Sequence, residues 1–291
     1  MPEPRPQSEG RREQIRLKEA IEILNIYLNL YRKYIVATFE VESERNLPFV
    51  YDKKMGEDIF RGEDIFRKKR VEERVKEAQN RQVEILREIE KMREEQPWLL
   101  EAEEYINKKR EQRALEERLR DLEVTLSRIE ELESTETGES IEQVRKRMSE
   151  ESEQYRRLRR EIEDVRRRLE SLNSEIEGLK RRFPTRMLEI LENEANGNTL
   201  IWEEHCIPYL DAYERRNMAA LKTMEENNPY LRLLQYYIFS WLEIRDFQKK
   251  NRQPEEYAYF VRRIEQISTY FSPEIRRRLE DYLKEKYSKT Q

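Results

Sequence analysis

From Ile141 to Phe183, apolar residues recur at alternating steps of three and four. The series is Ile141, Val144, Met148, Glu151, Tyr155, Leu158, Ile162, Val165, Leu169, Leu172, Ile176, Leu179 and Phe183, and only Glu151 is out of character. A period of about 3.5 residues predicts a coiled-coil seam rather than the broader face of an ordinary globular helix. A lone carboxylate in such a seam either snorkels to solvent or marks a local break. At a rise of 1.5 Å per residue a single helix over this span is roughly 64 Å long. A rod of this kind offers ends and flanks to partners and no concavity for chemistry.

A second seam precedes it: Leu115, Leu119, Leu122, Leu126 and Ile129. Between the two lies a polar stretch, Ser134-Thr135-Glu136-Thr137-Gly138-Glu139-Ser140, which reads as a turn between helices. Ser140 followed by Gln143 fits a capping box, and Gly138 supplies a residue tolerant of positive φ. Folding back at this turn sets Leu119 against Leu158, Leu122 against Tyr155 and Ile129 against Met148. It also brings Glu130 near Arg145, Glu116 near Arg159, Arg118 near Glu161 and Glu111 near Arg168, all opposite in sign. Exposed pairs are worth only a few tenths of a kcal/mol each, so they set register more than stability. The rival arrangement is a parallel dimer of 141–183 from two chains. The central turn and the charge match favour an antiparallel hairpin over 99–183, with its turn at 134–140 and its tip residues Thr135, Glu136, Thr137, Gly138 and Glu139 open to partners.

Elsewhere the pattern changes. Residues 1–10 are polar and proline-rich and read as a disordered tail. Leu17, Ala20, Ile21, Leu24, Tyr27, Leu28, Tyr31, Tyr34 and Ile35 lie at helical spacing within 11–41, and a loop containing Pro48 is expected over 42–54. Val71, Val75, Ala78, Gln82, Ile85, Ile89 and Met92 form another seam, a neck helix that stops before Pro97. A stutter is expected between Ile106 and Leu115, where the register changes. After Pro184 the spacing predicts helices near 185–193, 200–227, 229–250, 254–271 and 273–288, three of them with proline at or near the start. The stretch containing Tyr236, Tyr237, Phe239 and Trp241 is apolar nearly all round, which suits a core helix or an oligomer surface.

The expected architecture is therefore all-α, with a helical globular body built from the N- and C-terminal segments and a projecting antiparallel coiled-coil hairpin. Segments 11–95 (N-terminal helix, loop and neck), 99–183 (hairpin) and 184–291 (helices packing with 11–41) are its parts. Composition agrees: 41% of residues are charged, only 6 are glycine, and the formal net charge is −4, too near balance for a broad affinity for nucleic acid or acidic membranes. One cysteine excludes an internal disulfide framework. No apolar run is long enough to span a bilayer and no signal peptide is evident, so an intracellular, cytoplasmic location is expected.

Candidate chemistry is sparse. The chain has no phosphate loop and no G-x-G-x-x-G. His205 and Cys206, each the only one of its type, are adjacent, and helical neighbours point about 100° apart, so they form neither a chelate nor a nucleophile pair. No catalytic residue, metal ligand, cofactor or small-molecule substrate is expected. A tandem hexapeptide, Gly56-Glu57-Asp58-Ile59-Phe60-Arg61 and Gly62-Glu63-Asp64-Ile65-Phe66-Arg67, reads as a tolerated replication slip or as a duplicated docking peptide anchored by Ile59, Phe60, Ile65 and Phe66. Arg156, Arg160 and Arg167 face outward on the hairpin as candidate phosphate contacts, opposed by nearby carboxylates. The expected function is a non-enzymatic structural or adaptor role exercised on protein partners, copies of this chain included. Phosphate-mediated association with nucleic acid is the alternative.

Overall fold

The computed structural model describes residues 7–51, 64–247 and 254–288, and the side chains of 16–42, 72–247 and 254–287. The described residues form eleven α-helices, one π-helical turn and no strand. They are α1 (Gln7–Tyr51), α2 (Asp64–Glu95), α3 (Trp98–Thr137), α4 (Ile141–Glu151), α5 (Glu153–Lys180), α6 (Thr185–Ala195), the π turn Trp202–Cys206, α7 (Ile207–Glu214), α8 (Met218–Asn227), α9 (Leu231–Arg245), α10 (Pro254–Ser268) and α11 (Pro273–Ser288). No described helix is long and apolar enough to cross a membrane. The chain divides into two compact units, residues 1–100 with 197–291 and residues 101–196.

In the first unit, α1 continues through the stretch expected to be a loop, with Pro48 in its last turn. There the missing amide removes one helical hydrogen bond near an end that already frays. The neck segment, α2, packs on α1 in reversed order: Arg93 Nε donates to the Tyr27 hydroxyl at 3.0 Å, Gln82 Nε2 to Thr38 Oγ1 at 2.9 Å, and Arg81 meets Glu40 at 3.0 Å. The core gathers Tyr31, Ile35 and Phe39 of α1 with Leu233, Leu234, Tyr237 and Ile238 of α9, and with Ile267, Phe271, Ile275, Leu279 and Leu283 of α10, α11 and their connection. The near-uniform apolarity of α9 is thus explained by burial on several sides. Pro254 and Pro273 each open a helix, and Ser272 Oγ accepts from Ile275 N at 3.3 Å as a cap.

One expected helix is several elements. The span 200–227 holds the π turn, α7 and α8, separated at Arg216, whose φ is +55°. Asn217 N donates to Ala212 O at 2.9 Å and Arg216 N to Tyr213 O at 3.1 Å. Those two bonds are the Schellman arrangement that ends helices, here built without the usual glycine. A sequence search for Gly or Pro passes over it.

In the second unit, α3 runs unbroken from Trp98 to Thr137, and the expected change of register falls within it: the paired positions shift by four between Glu111 with Arg168 and Lys108 with Glu175. Its residues meet those of α4, α5 and the turn after α5 in reversed order: Glu101 with Arg182 at 2.7 Å, Lys108 with Glu175, Glu111 with Arg168 at 2.9 Å, Arg118 with Glu161 at 2.5 Å and Glu130 with Arg145 at 2.8 Å. Three of the four expected flanking pairs are therefore made. Arg159, expected opposite Glu116, instead has its guanidinium carbon 6.0 Å from the Tyr155 ring centroid. The seam residues Tyr155, Ile162, Val165, Leu169, Leu172, Ile176 and Leu179 are all buried, each contributing about 1.5–3 kcal/mol.

The long helix expected over 141–183 is broken at Ser152, which leaves the helical region (φ −105°, ψ 113°). The break comes directly after the misfit Glu151, whose carboxylate a continuous seam would desolvate and which here is exposed, 3.7 Å from Arg147. Ser152 serves both helices, donating its amide to Met148 O at 2.9 Å and accepting Tyr155 N on Oγ at 3.2 Å. The other end of the seam differs too, because Ile141 is 43% exposed rather than buried.

Candidate interaction sites

The turn between α3 and α4 is built from its own hydrogen bonds. Thr135 and Thr137 hydroxyls donate to Glu131 O and Glu133 O at 2.8 and 2.7 Å, and Ser134 Oγ donates to Glu139 O at 2.6 Å. Gly138 adopts φ +72°, and the Ser140–Gln143 capping box is complete. Arg147 gathers the flanking charges, with Nη2 on Glu133 at 2.8 Å and Nε on Glu139 at 3.0 Å. Thr135, Thr137 and Glu139 therefore spend their polar groups on the turn, while Glu136 stays exposed. The apolar side chains flanking the turn are exposed as well, Leu132 at 64% and Ile141 at 43%. Seam periodicity missed both: it counted Ile141 as core and left Leu132 off the seam.

Below the turn the expected Glu130–Arg145 pair gains a third member, Tyr155, that the seam spacing did not show. Glu130 is 3% exposed; Arg145 donates Nε and Nη2 to its Oε2 at 2.9 and 2.8 Å, and the buried Tyr155 hydroxyl donates to Oε1 at 2.7 Å. Burial pushes the Glu130 carboxyl up, but the hydrogen bonds from Arg145 and Tyr155 outweigh it and hold it below the usual range. Tyr155 is pushed up to about 12 by burial and by donating to Glu130. A carboxylate satisfied by three donors has little basicity left, so the cluster is suited to holding helices and not to proton transfer. Tyr155 keeps its buried place in the seam, and its hydroxyl reaches Glu130, a partner the seam spacing did not indicate.

The four aromatic residues expected to share a surface do not share one. Tyr237 is 2% exposed and packs on Phe271 with centroids 6.2 Å apart, so it belongs to the core. Tyr236 is half-buried with the Arg263 guanidinium 5.0 Å from its ring centroid. Trp241 stands 6.4 Å from Tyr287, with Arg245 over both rings. Phe239, at 37%, is the most exposed of the four, edge-on to Phe260 at 5.9 Å.

The candidate phosphate contacts are engaged by carboxylates on their own helix. Arg156 and Arg160 both hold Glu153, at 3.0 and 2.9 Å, and Arg167 holds Asp164. Ile59 and Phe60 lie outside the described residues. Ile65 and Phe66 fall in the first turn of α2, where side chains are not among those described. His205 Nδ1 accepts from Ile201 N at 3.0 Å, and Cys206 is fully buried with its thiol pushed up to about 12 by burial, which suppresses the reactive thiolate. Among the described residues no group of three or more His, Cys, Asp or Glu is placed to hold a metal.

The first unit also carries a cleft of about 710 Å³ lined by Tyr213, Glu214, Arg216, Met218, Leu221, Gln235, Lys286 and Tyr287. Glu214 accepts from both Lys286 and the Tyr282 hydroxyl. Beneath it the Tyr209 hydroxyl donates to Glu225 at 2.5 Å and accepts from Gln235 Nε2 at 2.7 Å. The cleft exists because α7 stops at Arg216 and α8 turns away, an event that helical spacing alone did not foretell.

Compared with protein-family models, with curated proteins and with solved structures, the chain matches none.

Proposed function

We propose that this chain is a non-enzymatic structural or adaptor protein that works by holding other proteins, copies of itself among them. In this reading α3, α4 and α5 act as an antiparallel coiled-coil hairpin, and the aromatic-rich helices around α9 form a globular body. One observation supports it best: the α5 seam is buried by its own chain, so no second strand is needed to cover it. What is left for partners near the turn is Glu136 with the exposed Leu132 and Ile141. Apolar residues beside a rigid turn act as anchors, since little conformational entropy is lost when they dock.

The reading is tested by sedimentation equilibrium of the full chain over a wide range of concentration, beside the Leu132→Lys/Ile141→Lys variant. A photoreactive residue placed at position 132 reports contacts to other chains. Association that weakens in the variant, or cross-links that require Leu132 and Ile141, supports the role. A chain that stays monomeric and cross-links to no protein from this turn refutes it.

A further inference from the structure

The cleft between α7, α8 and α11 has two features that a packing defect would lack. Its rim residue Arg216 is held at φ +55°, where glycine or asparagine is far cheaper, and it has no carboxylate partner among the described residues. Arg215 beside it is also exposed. Met218 at the mouth is 65% exposed and Tyr213 is 39% exposed, above a buried Leu221. The one carboxylate lining the cleft, Glu214, is already neutralised by Lys286. The cleft therefore combines Leu221 below a mouth flanked by the Met218 thioether and the Tyr213 ring with the positive charge of Arg216 at its edge, beside the polar Gln235 and the Glu214–Lys286 pair. Its ligand should present adjacent carboxylates next to a bulky apolar anchor: a guanidinium binds carboxylate in two-pronged fashion, and methionine adapts to irregular apolar shapes.

This chain carries such a segment. Residues 56–61 read Gly-Glu-Asp-Ile-Phe-Arg, two carboxylates followed directly by Ile59 and Phe60, and they lie outside the described structure. We infer that this hexapeptide of one copy docks in the cleft of a second copy, with Glu57 and Asp58 toward Arg215 and Arg216 and with Phe60 seated among Tyr213, Met218 and Leu221. The inference rests on the protein-binding role proposed above and gives it a specific contact.

The test uses the full chain carrying Phe60→Ala and Phe66→Ala, which removes its own competing anchors, and a fluorescent synthetic peptide of residues 56–61 followed by anisotropy. The peptide is expected to bind, and to lose about tenfold or more in affinity when its Phe is replaced by Ala. Two variants of the receptor chain should each weaken binding by a similar factor: Arg216→Gly, whose melting temperature should rise because glycine relieves the backbone, and Met218→Ser, whose melting temperature should hold. No binding by the peptide overturns the inference, as does equal binding to the Arg216→Gly chain. If self-association in the unmodified chain is lost with Leu132→Lys/Ile141→Lys but untouched by Arg216→Gly, the cleft contact is refuted while the protein-binding role stands. If neither variant matters and the chain is monomeric, both fail.

Discussion

The Tyr155 hydroxyl donates to Glu130 Oε1 at 2.7 Å, joining α3 to the helix that follows the break at Ser152. Because Arg145 fills the other carboxylate oxygen, the three residues behave as a unit. Tyr155→Phe should cost about 1.5–3 kcal/mol, the range for a hydrogen bond to a charged group. Glu130→Arg should loosen the turn, and adding Arg145→Glu should restore part of the loss. Urea titration of the single and double variants gives the coupling, and additive effects would mean the pairing carries no energy.

The same cluster has a pH signature with a definite sign. Glu130 is held below its usual value near 4.5, so its contribution is present above that value and lost as pH falls through the lowered one. Tyr155 is raised from 10.0 to about 12, so its contribution is complete below pH 10 and lost as pH climbs toward 12. Thermal melts should show the gap between the parent and Tyr155→Phe closing over that alkaline window. A constant gap would count against the buried hydrogen bond.

Three glycines should respond in three ways to alanine. At Gly197 (φ +70°) a Cβ would meet Phe271 C at 2.5 Å, Ser272 N at 2.7 Å and Tyr270 O at 2.8 Å, all backbone, so Gly197→Ala should cost about 2–4 kcal/mol. Gly138 (φ +72°) faces open space, so Gly138→Ala should cost only the left-handed penalty, about 1–2 kcal/mol. Gly178 lies inside α5 with nothing within 4 Å, and Gly178→Ala should stabilise by roughly 0.5–1 kcal/mol. Melting temperatures of the three variants test the order, and a loss at Gly178 would break it.

Arg110 and Glu194 form a buried pair at 2.9 Å, with side chains 8% and 0% exposed. Removing one partner strands a buried charge, so Glu194→Leu alone should cost about 3–5 kcal/mol. Arg110→Met with Glu194→Leu should recover most of that. If the double variant is as weak as the single one, the pair does more than neutralise itself.

Arg156, Arg160 and Arg167 each hold an exposed carboxylate already. A phosphate would have to displace it, so changing all three to Glu should leave any duplex DNA binding at low salt unaltered in an anisotropy titration. A large, salt-sensitive loss would instead favour association with nucleic acid.

Much of the local structure was legible because it depends on near neighbours in the chain. The 3.5-residue period, the capping box at Ser140, the left-handed Gly138 and the proline starts of α10 and α11 are all decided within a few residues by steric and hydrogen-bond rules. Opposite charges at Glu130 and Arg145, Arg118 and Glu161, and Glu111 and Arg168 were legible too, because a fold at Gly138 leaves little freedom in what can face what.

Tertiary packing decided the rest. Arg216 ends α7 in a left-handed conformation that its own side chain disfavours, which neither glycine nor proline in the sequence marks. Tyr237 and Phe239, two aromatic residues two positions apart on α9, differ in burial, because Tyr237 packs on Phe271 in the core while Phe239 meets Phe260 of α10 edge-on at the surface. Gly197 is required by the backbone of Phe271 and Ser272, more than seventy positions away in the chain. Period and capping fix where helices form, since both are short-range. Which of their faces are covered, and where a cleft opens between them, depends on contacts between distant segments that no local pattern encodes.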